Sequence, residues 1–181
     1  GAHAKKGALV GWVTQWAAAH NGCVPQLWMD VACADPGLDM ATQLAHLPVY
    51  LCRSRRLLVL CGSQLTSRAW CVTELYAWLA LGGTLDTVEV VPVASSSSEL
   101  AAVAASFDTF HVHAIADASK AMIRSRFDLM VTLAGVQRVN EVVRSYSAVV
   151  QAACVRHAER ARGTASPTVL DEHVVNIQGA T

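Results

Sequence analysis

The strongest constraint on the fold is a short apolar run that is followed by an apolar helix. Leu57–Leu60 contains no polar residue, which is typical of a strand buried on both faces. Gly62 and Ser63 then mark a turn, and the segment from Trp70 to Leu81 carries apolar residues at spacings of three and four, as a helix does. This succession predicts a parallel α/β sheet, in which the helix begins at the edge where ligands bind.

The predicted helix contains one acidic residue, Glu74. Thr66 or Ser67 offers a side-chain oxygen to cap the helix, so Glu74 is expected about two turns, or roughly 10 Å, from its start. Because side chains tilt toward the N-terminus of a helix, its carboxylate can reach back along a cleft toward the turn at Gly62 and Ser63. The alternative is an ordinary glutamate on a helix whose other faces are buried.

The rest of the chain alternates between predicted helices and strands. The predicted helices are 9–20, 40–52, 70–81, 99–106, 120–129 and 136–160, and the predicted strands are 24–29, 57–60, 87–93 and 109–115. Such alternation predicts a mainly parallel sheet that is covered on both faces. Pro48 lies inside a predicted helix, where we expect a kink or a break. Residues 163–181 are expected to form a flexible tail or linker, or to start another element from Val169.

Two pairs of residues allow a functional and a structural interpretation. Trp12 and Trp16 lie four residues apart on a predicted helix, so they form either an interaction surface or part of the core, and the core is favoured. His111 and His113 share one face of a predicted strand and could hold a metal. No third ligand stands near them in the sequence, so solvent-facing or core-edge histidines are favoured and no metal is expected.

Charge and hydropathy limit the classes of partner. Acidic and basic residues balance at 14 each, so no global field favours nucleic acid or an anionic membrane. No uncharged apolar run approaches the roughly 18 residues of a membrane span. A small basic cluster precedes the central strand and consists of Arg53, Arg55 and Arg56. It is either the solvated end of a helix or a phosphate site, and the solvated helix end is favoured.

The cysteines indicate a reducing compartment. There are six, without a C-x-x-C pair and without zinc-like spacing to histidine. Free cysteine inside predicted strands and helices behaves as a small apolar residue. We therefore expect reduced thiols and a cytoplasmic location.

Four segments resemble parts of Toll/interleukin-1 receptor (TIR) domains. Residues 67–75, Ser-Arg-Ala-Trp-Cys-Val-Thr-Glu-Leu, are similar to the family's Ser…Trp-Cys-x-x-Glu-Leu signature. Leu27–Asp30 resembles the second strand and its terminal aspartate, and residues 47–51 and 55–62 resemble the second helix and third strand. The chain thus resembles the divergent TIR-like modules of large algal and oomycete proteins. The resemblance implies a flavodoxin-like three-layer sandwich over residues 8–162.

The start of the chain departs from this family. TIR domains open with a strand that forms the centre of the sheet, and nothing before Leu9 can be that strand. We therefore expect the domain to lack its first strand, or to borrow one from outside these residues, which would leave backbone groups at the centre unpaired.

The resemblance also implies a reaction. In catalytically active TIR domains, a glutamate that matches Glu74 takes part in cleaving the nicotinamide–ribose bond of NAD, which is a substrate and not a cofactor. Asp30, Gly62, Ser63 and Trp70 are then expected to contact the nucleotide. A carboxylate near the ribose stabilises the oxocarbenium-like transition state of such a cleavage.

Two other functions stay open beside this NAD glycohydrolase activity. One is a non-catalytic module that associates with itself or with other TIR-like domains in signalling. The other is regulatory binding of NAD without turnover. Residue identity does not separate them.

Overall fold

The computed structural model describes residues 2–29, 40–115, 121–163 and 175–178, and it shows a mixed α/β protein with a small parallel sheet. The helices are α1 (Ala2–Ala19), α2 (Met40–Arg53), α3 (Ala69–Ala80), α4 (Ser97–Asp108), α5 (Ala121–Ala134), α6 (Val136–Ser145) and α7 (Ser147–Ala161). The strands are β1 (Leu27–Met29), β2 (Arg56–Cys61), β3 (Val88–Pro92) and β4 (Val175–Gln178). Short 3₁₀ turns are formed by Leu65–Ser67, Leu85–Thr87 and Val112–Ala114.

The four strands lie in the order β1-β4-β2-β3, and every pairing is parallel. Leu57 of β2 lies opposite Val88 in β3 on one side and opposite Asn176 in β4 on the other. On the far side of β4, Val175 lies opposite Leu27 in β1. Among the strands that the structure describes, β4 and β2 therefore lie in the interior of the sheet and β1 and β3 at its edges.

The expectation of a vacant centre is wrong, because β4 lies between β1 and β2. For residues 163–181 the sequence allows either a flexible tail or linker or the start of another element from Val169. Residues 175–178 agree with the second alternative, because they pair with strands on both sides. The backbone groups that a vacant centre would have left unpaired are satisfied by a segment that follows the last helix of the described chain.

Strand β2 is buried on both faces, as its apolar sequence predicts. Leu58 and Leu60 contact Trp12 and Trp16 of α1 on one face. The odd-numbered residues from 57 to 61 join a larger apolar cluster on the other face, with side chains from α2 to α7. No residue from 57 to 61 is more than 2% exposed. The two tryptophans are 4% and 2% exposed, so the core interpretation of this pair is confirmed.

The predicted strand at 109–115 is wrong, since the segment contains the 3₁₀ turn Val112–Ala114. Side chains of α6 take the place of a strand partner here. The backbone N–H of Val112 donates to Asn140 Oδ1 at 2.8 Å, and Arg144 Nε donates to the carbonyl of Phe110 at 2.8 Å. Phe110, Val112 and Ile115 are still buried, but they enter the core from a turn.

The segment predicted as one helix at 136–160 is two helices that meet at Tyr146. The backbone N–H of Tyr146 donates to Val143, three residues back, which tightens the chain at the end of α6. The Tyr146 ring is fully buried at this junction. Helix α2 continues through Pro48, so of the expected kink or break the break does not occur. Leu47 and Leu51 on either side of Pro48 are buried in the core.

None of the helices among the described residues is long and apolar enough to cross a membrane.

Candidate functional site

Helix α3 follows the central strand through a tight turn. After β2, Leu65 donates its backbone N–H to the carbonyl of Gly62 at 3.1 Å, and the 3₁₀ turn Leu65–Ser67 leads into the helix. Arg68 occupies the N-cap without a side-chain cap bond. The expected cap at Thr66 or Ser67 is therefore wrong, because the hydroxyl of Ser67 donates to the carbonyl of Gln64 at 2.8 Å.

Glu74 lies on the buried side of α3 and is 0% exposed. Both of its carboxylate oxygens are inaccessible to solvent. Its neighbours Cys71, Leu75 and Trp78 belong to the large core cluster. Since α3 begins at Ala69, Glu74 is about 8 Å along the helix at 1.5 Å per residue.

The backbone beside Glu74 is held by a contact from a distant helix. Tyr146, at the junction of α6 and α7, donates its hydroxyl to the carbonyl of Leu75 at 2.7 Å. Burial raises the pKa of the Tyr146 phenol well above its usual range, so the phenol remains a donor at neutral pH. This hydrogen bond fixes α3 one residue after Glu74.

The other predicted site residues are distributed around the same strand–helix unit. Gly62 is half-buried and Ser63 is exposed at the carboxyl end of β2. Trp70 is half-buried in the first turn of α3, where its ring packs against the large core cluster. Asp30 follows β1 directly but lies outside the described residues. The structure thus brings four of the five predicted residues into one β2–α3 unit, with Glu74 inside and Ser63 at the surface.

An aromatic cluster near the end of β1 was not predicted. Trp28 of β1 stacks on Tyr50 of α2, with ring centroids 4.6 Å apart and planes inclined by 20°. His46 meets the same tyrosine edge-on at 6.5 Å. These residues are 18 or more positions apart from Trp28 in sequence, so no local pattern signals the contact.

A polar cavity beside β3 was also missed. Its volume is about 330 Å³, and it lies between the outer strand of the sheet and α7. Trp12 donates its indole N–H to Glu89 Oε1 at 2.7 Å, and both residues line the cavity. Arg56, which the sequence grouped with Arg53 and Arg55, lines this cavity from the start of β2.

Among the described cysteines and histidines, two buried thiols and one exposed pair of histidines bear on possible chemistry. Burial raises the pKa of the thiols of Cys61 and Cys154, so both thiols stay protonated and are poor nucleophiles. His111 and His113 are exposed, with ring centroids 5.1 Å apart. Within the described ranges, no group of three or more potential ligands is placed to hold a metal ion.

Neither a family model, nor a curated protein, nor a solved structure matches this chain. Function is therefore inferred from its residues and their geometry.

Proposed function

We propose that this chain is a TIR-like domain with a flavodoxin-like three-layer fold. The strand order supports this assignment. Flavodoxin-like sheets have the order 2-1-3-4-5. If β4 is numbered as the first strand, the observed order β1-β4-β2-β3 becomes 2-1-3-4. The apolar clusters on both faces of β2 support the three layers.

We further propose that the domain hydrolyses the nicotinamide–ribose bond of NAD, with Glu74 as the catalytic residue. The bond between C1′ of the ribose and the pyridinium nitrogen breaks, and its electron pair leaves with neutral nicotinamide. A water oxygen then bonds to C1′ and loses a proton, which yields ADP-ribose. Because nicotinamide leaves neutral, one carboxylate that stabilises the cationic sugar is enough.

The observation that carries this proposal is the burial of the Glu74 carboxyl on the helix that follows the central strand. Taking a carboxylate out of water costs several kcal/mol. An apolar residue would fill the same space in a core cluster without that cost. Strongly desolvated ionisable groups are concentrated at functional sites, and this one lies in the Trp-Cys-x-x-Glu-Leu sequence that resembles the family signature.

Access to Glu74 requires a movement. Both carboxylate oxygens are shielded from solvent, so a ribose cannot reach them in this conformation. We propose that self-association displaces the residues that cover α3 and so exposes the Glu74 carboxylate. Turnover is then expected to increase when the protein is concentrated or clustered.

The test is an assay of NAD loss and nicotinamide release by chromatography. Wild-type protein at high concentration is expected to release nicotinamide. Glu74→Gln keeps the size of the side chain and removes its charge, and it is expected to lower the rate at least about 100-fold, as loss of a key electrostatic group does. Glu141→Gln is the matched control, because Glu141 is exposed on α6 and pairs only loosely with Arg138 at 3.9 Å. Equal melting temperatures exclude a folding defect.

Two results contradict the proposal. Unchanged turnover in Glu74→Gln moves the chemistry to another residue. Binding of NAD without its consumption by wild-type protein assigns the domain to regulatory binding.

The second candidate function is self-association without catalysis. Leu129 and Leu133, four residues apart on α5, are 50% and 78% exposed. Neighbouring positions at this spacing lie on one face of a helix and form a small apolar surface. If this surface mediates assembly, Leu133→Ser lowers the oligomer mass in light scattering, whereas Val155→Ser on α7, 56% exposed, does not. An unchanged mass in both variants removes the support for this surface.

A further inference from the structure

We propose that the cavity between β3 and α7 binds a small phosphorylated sugar, at a site separate from Glu74. The cavity has a volume of about 330 Å³, at the lower end of the range for small-molecule pockets. Glu74 is not among its lining residues. The volume favours one sugar with one phosphate over a dinucleotide.

Three arginines supply the charge for a phosphate. Arg156 and Arg160 lie four residues apart on α7, so they share one face of that helix, and Arg56 enters from the start of β2. The guanidinium group binds phosphate through paired hydrogen bonds. Among the lining residues that the structure describes, Glu89 carries the single carboxylate, so these residues have a net positive charge.

Glu89 supplies the acceptor for a hydroxyl group. Its carboxylate is held by the indole N–H of Trp12 at 2.7 Å, so its position at the cavity wall is defined. Burial raises the pKa of the Glu89 carboxyl, and the Trp12 indole and the positive charges of the three arginines oppose this rise because they lie near the carboxylate. An anionic group beside a cationic cluster suits a ligand that carries both a phosphate and hydroxyl groups.

The sequence indicated one part of this phosphate site. The basic residues before β2 allowed a phosphate site, but Arg53 and Arg55 do not line this cavity, and Arg56 does. The other two arginines come from a helix about one hundred residues later in the chain. The site therefore exists only after β3 and α7 are brought together.

The experiment is calorimetric titration of the whole chain with ribose 5-phosphate, inorganic phosphate and ribose. We expect ribose 5-phosphate to bind more tightly than either part alone. Arg156→Gln is expected to weaken its binding about tenfold, the effect of losing one hydrogen bond to a charged group. Arg126→Gln is the matched control, because Arg126 is exposed on α5 and does not line the cavity, and it should bind as wild type does.

A second variant separates the two halves of the site. Glu89→Gln should weaken binding of ribose 5-phosphate relative to inorganic phosphate, whereas Glu141→Gln, at an exposed position that does not line the cavity, should leave both unchanged. No heat of binding with ribose 5-phosphate, or equal affinities in wild type and Arg156→Gln, would overturn the proposal. Since neither result depends on NAD turnover, the site is tested independently of the proposed reaction.

Discussion

Removal of the Tyr146 hydroxyl tests the contact that holds the helix of Glu74. In Tyr146→Phe the ring stays in its fully buried position, and only the 2.7 Å hydrogen bond to the carbonyl of Leu75 is lost. A buried acceptor that loses its donor costs about 1–3 kcal/mol, and a mid-helix carbonyl that retains its helical donor belongs in the lower part of that range. We expect a loss of about 1–2 kcal/mol, which lowers the melting temperature by about 2–8 °C in a chain of this size.

The measurement is urea unfolding at pH 7 and at pH 11, with Tyr50→Phe as the control, because the Tyr50 ring is partly exposed and stacks without using its hydroxyl. Burial holds the pKa of Tyr146 above its ordinary value of 10 in the folded state. Its contribution is therefore fully present below pH 10 and is lost as the pH rises, by about 1.4 kcal/mol at pH 11. The advantage of wild type over Tyr146→Phe should shrink accordingly. A stability equal to wild type at pH 7, or a difference that does not change with pH, would refute this reasoning.

Three further predictions concern the fold and the cavity. Burial raises the pKa of Glu89 above 4.5, so its stabilising contribution is present below pH 4.5 and is lost as the pH rises through the raised pKa. In urea titrations Glu89→Gln should therefore be more stable than wild type at pH 7 and equal to it below pH 4.5. The opposite order would contradict the assignment. Trp78→Ala should lower the free energy of unfolding by about 3–5 kcal/mol, since Trp78 is 4% exposed, and Trp70→Ala should lower it less because Trp70 is only half-buried. If calorimetry reverses this order, α3 faces the core differently. Deletion of residues 175–181 should abolish the cooperative melt, because β4 pairs with strands on both sides, and an unchanged melt would exclude β4 from the sheet.

The sequence predicts those parts of the fold that depend on local pattern. An uninterrupted apolar run identifies β2 as a buried strand, and the spacing of apolar residues identifies α3 and the buried tryptophans of α1. Local patterns do not predict the position of β4 in the sheet, because its pairing partners lie more than one hundred residues away in the chain. The segment at 109–115 shows the same limit: its alternating apolar residues fit a strand, but side chains from α6 take its backbone bonds.

For the candidate site, the sequence predicts that one acidic residue, Glu74, lies on an apolar helix. Periodicity places Glu74 on an apolar helix, but it does not distinguish a cleft wall from the interior, and the structure has the carboxylate in the interior. Of the charged residues that line the cavity, only Arg56 has a signal in the sequence, because Glu89 of β3 and the two arginines of α7 meet it only in the folded protein.

The initial rate of nicotinamide release, measured over a range of protein concentrations for wild type and Glu74→Gln, tests the central claim most directly. Because Glu74 is shielded in the single chain, the proposal predicts a wild-type rate per molecule that increases with concentration and a rate near zero in Glu74→Gln at every concentration. A wild-type rate of zero at all concentrations, or equal rates in the two proteins, would contradict it.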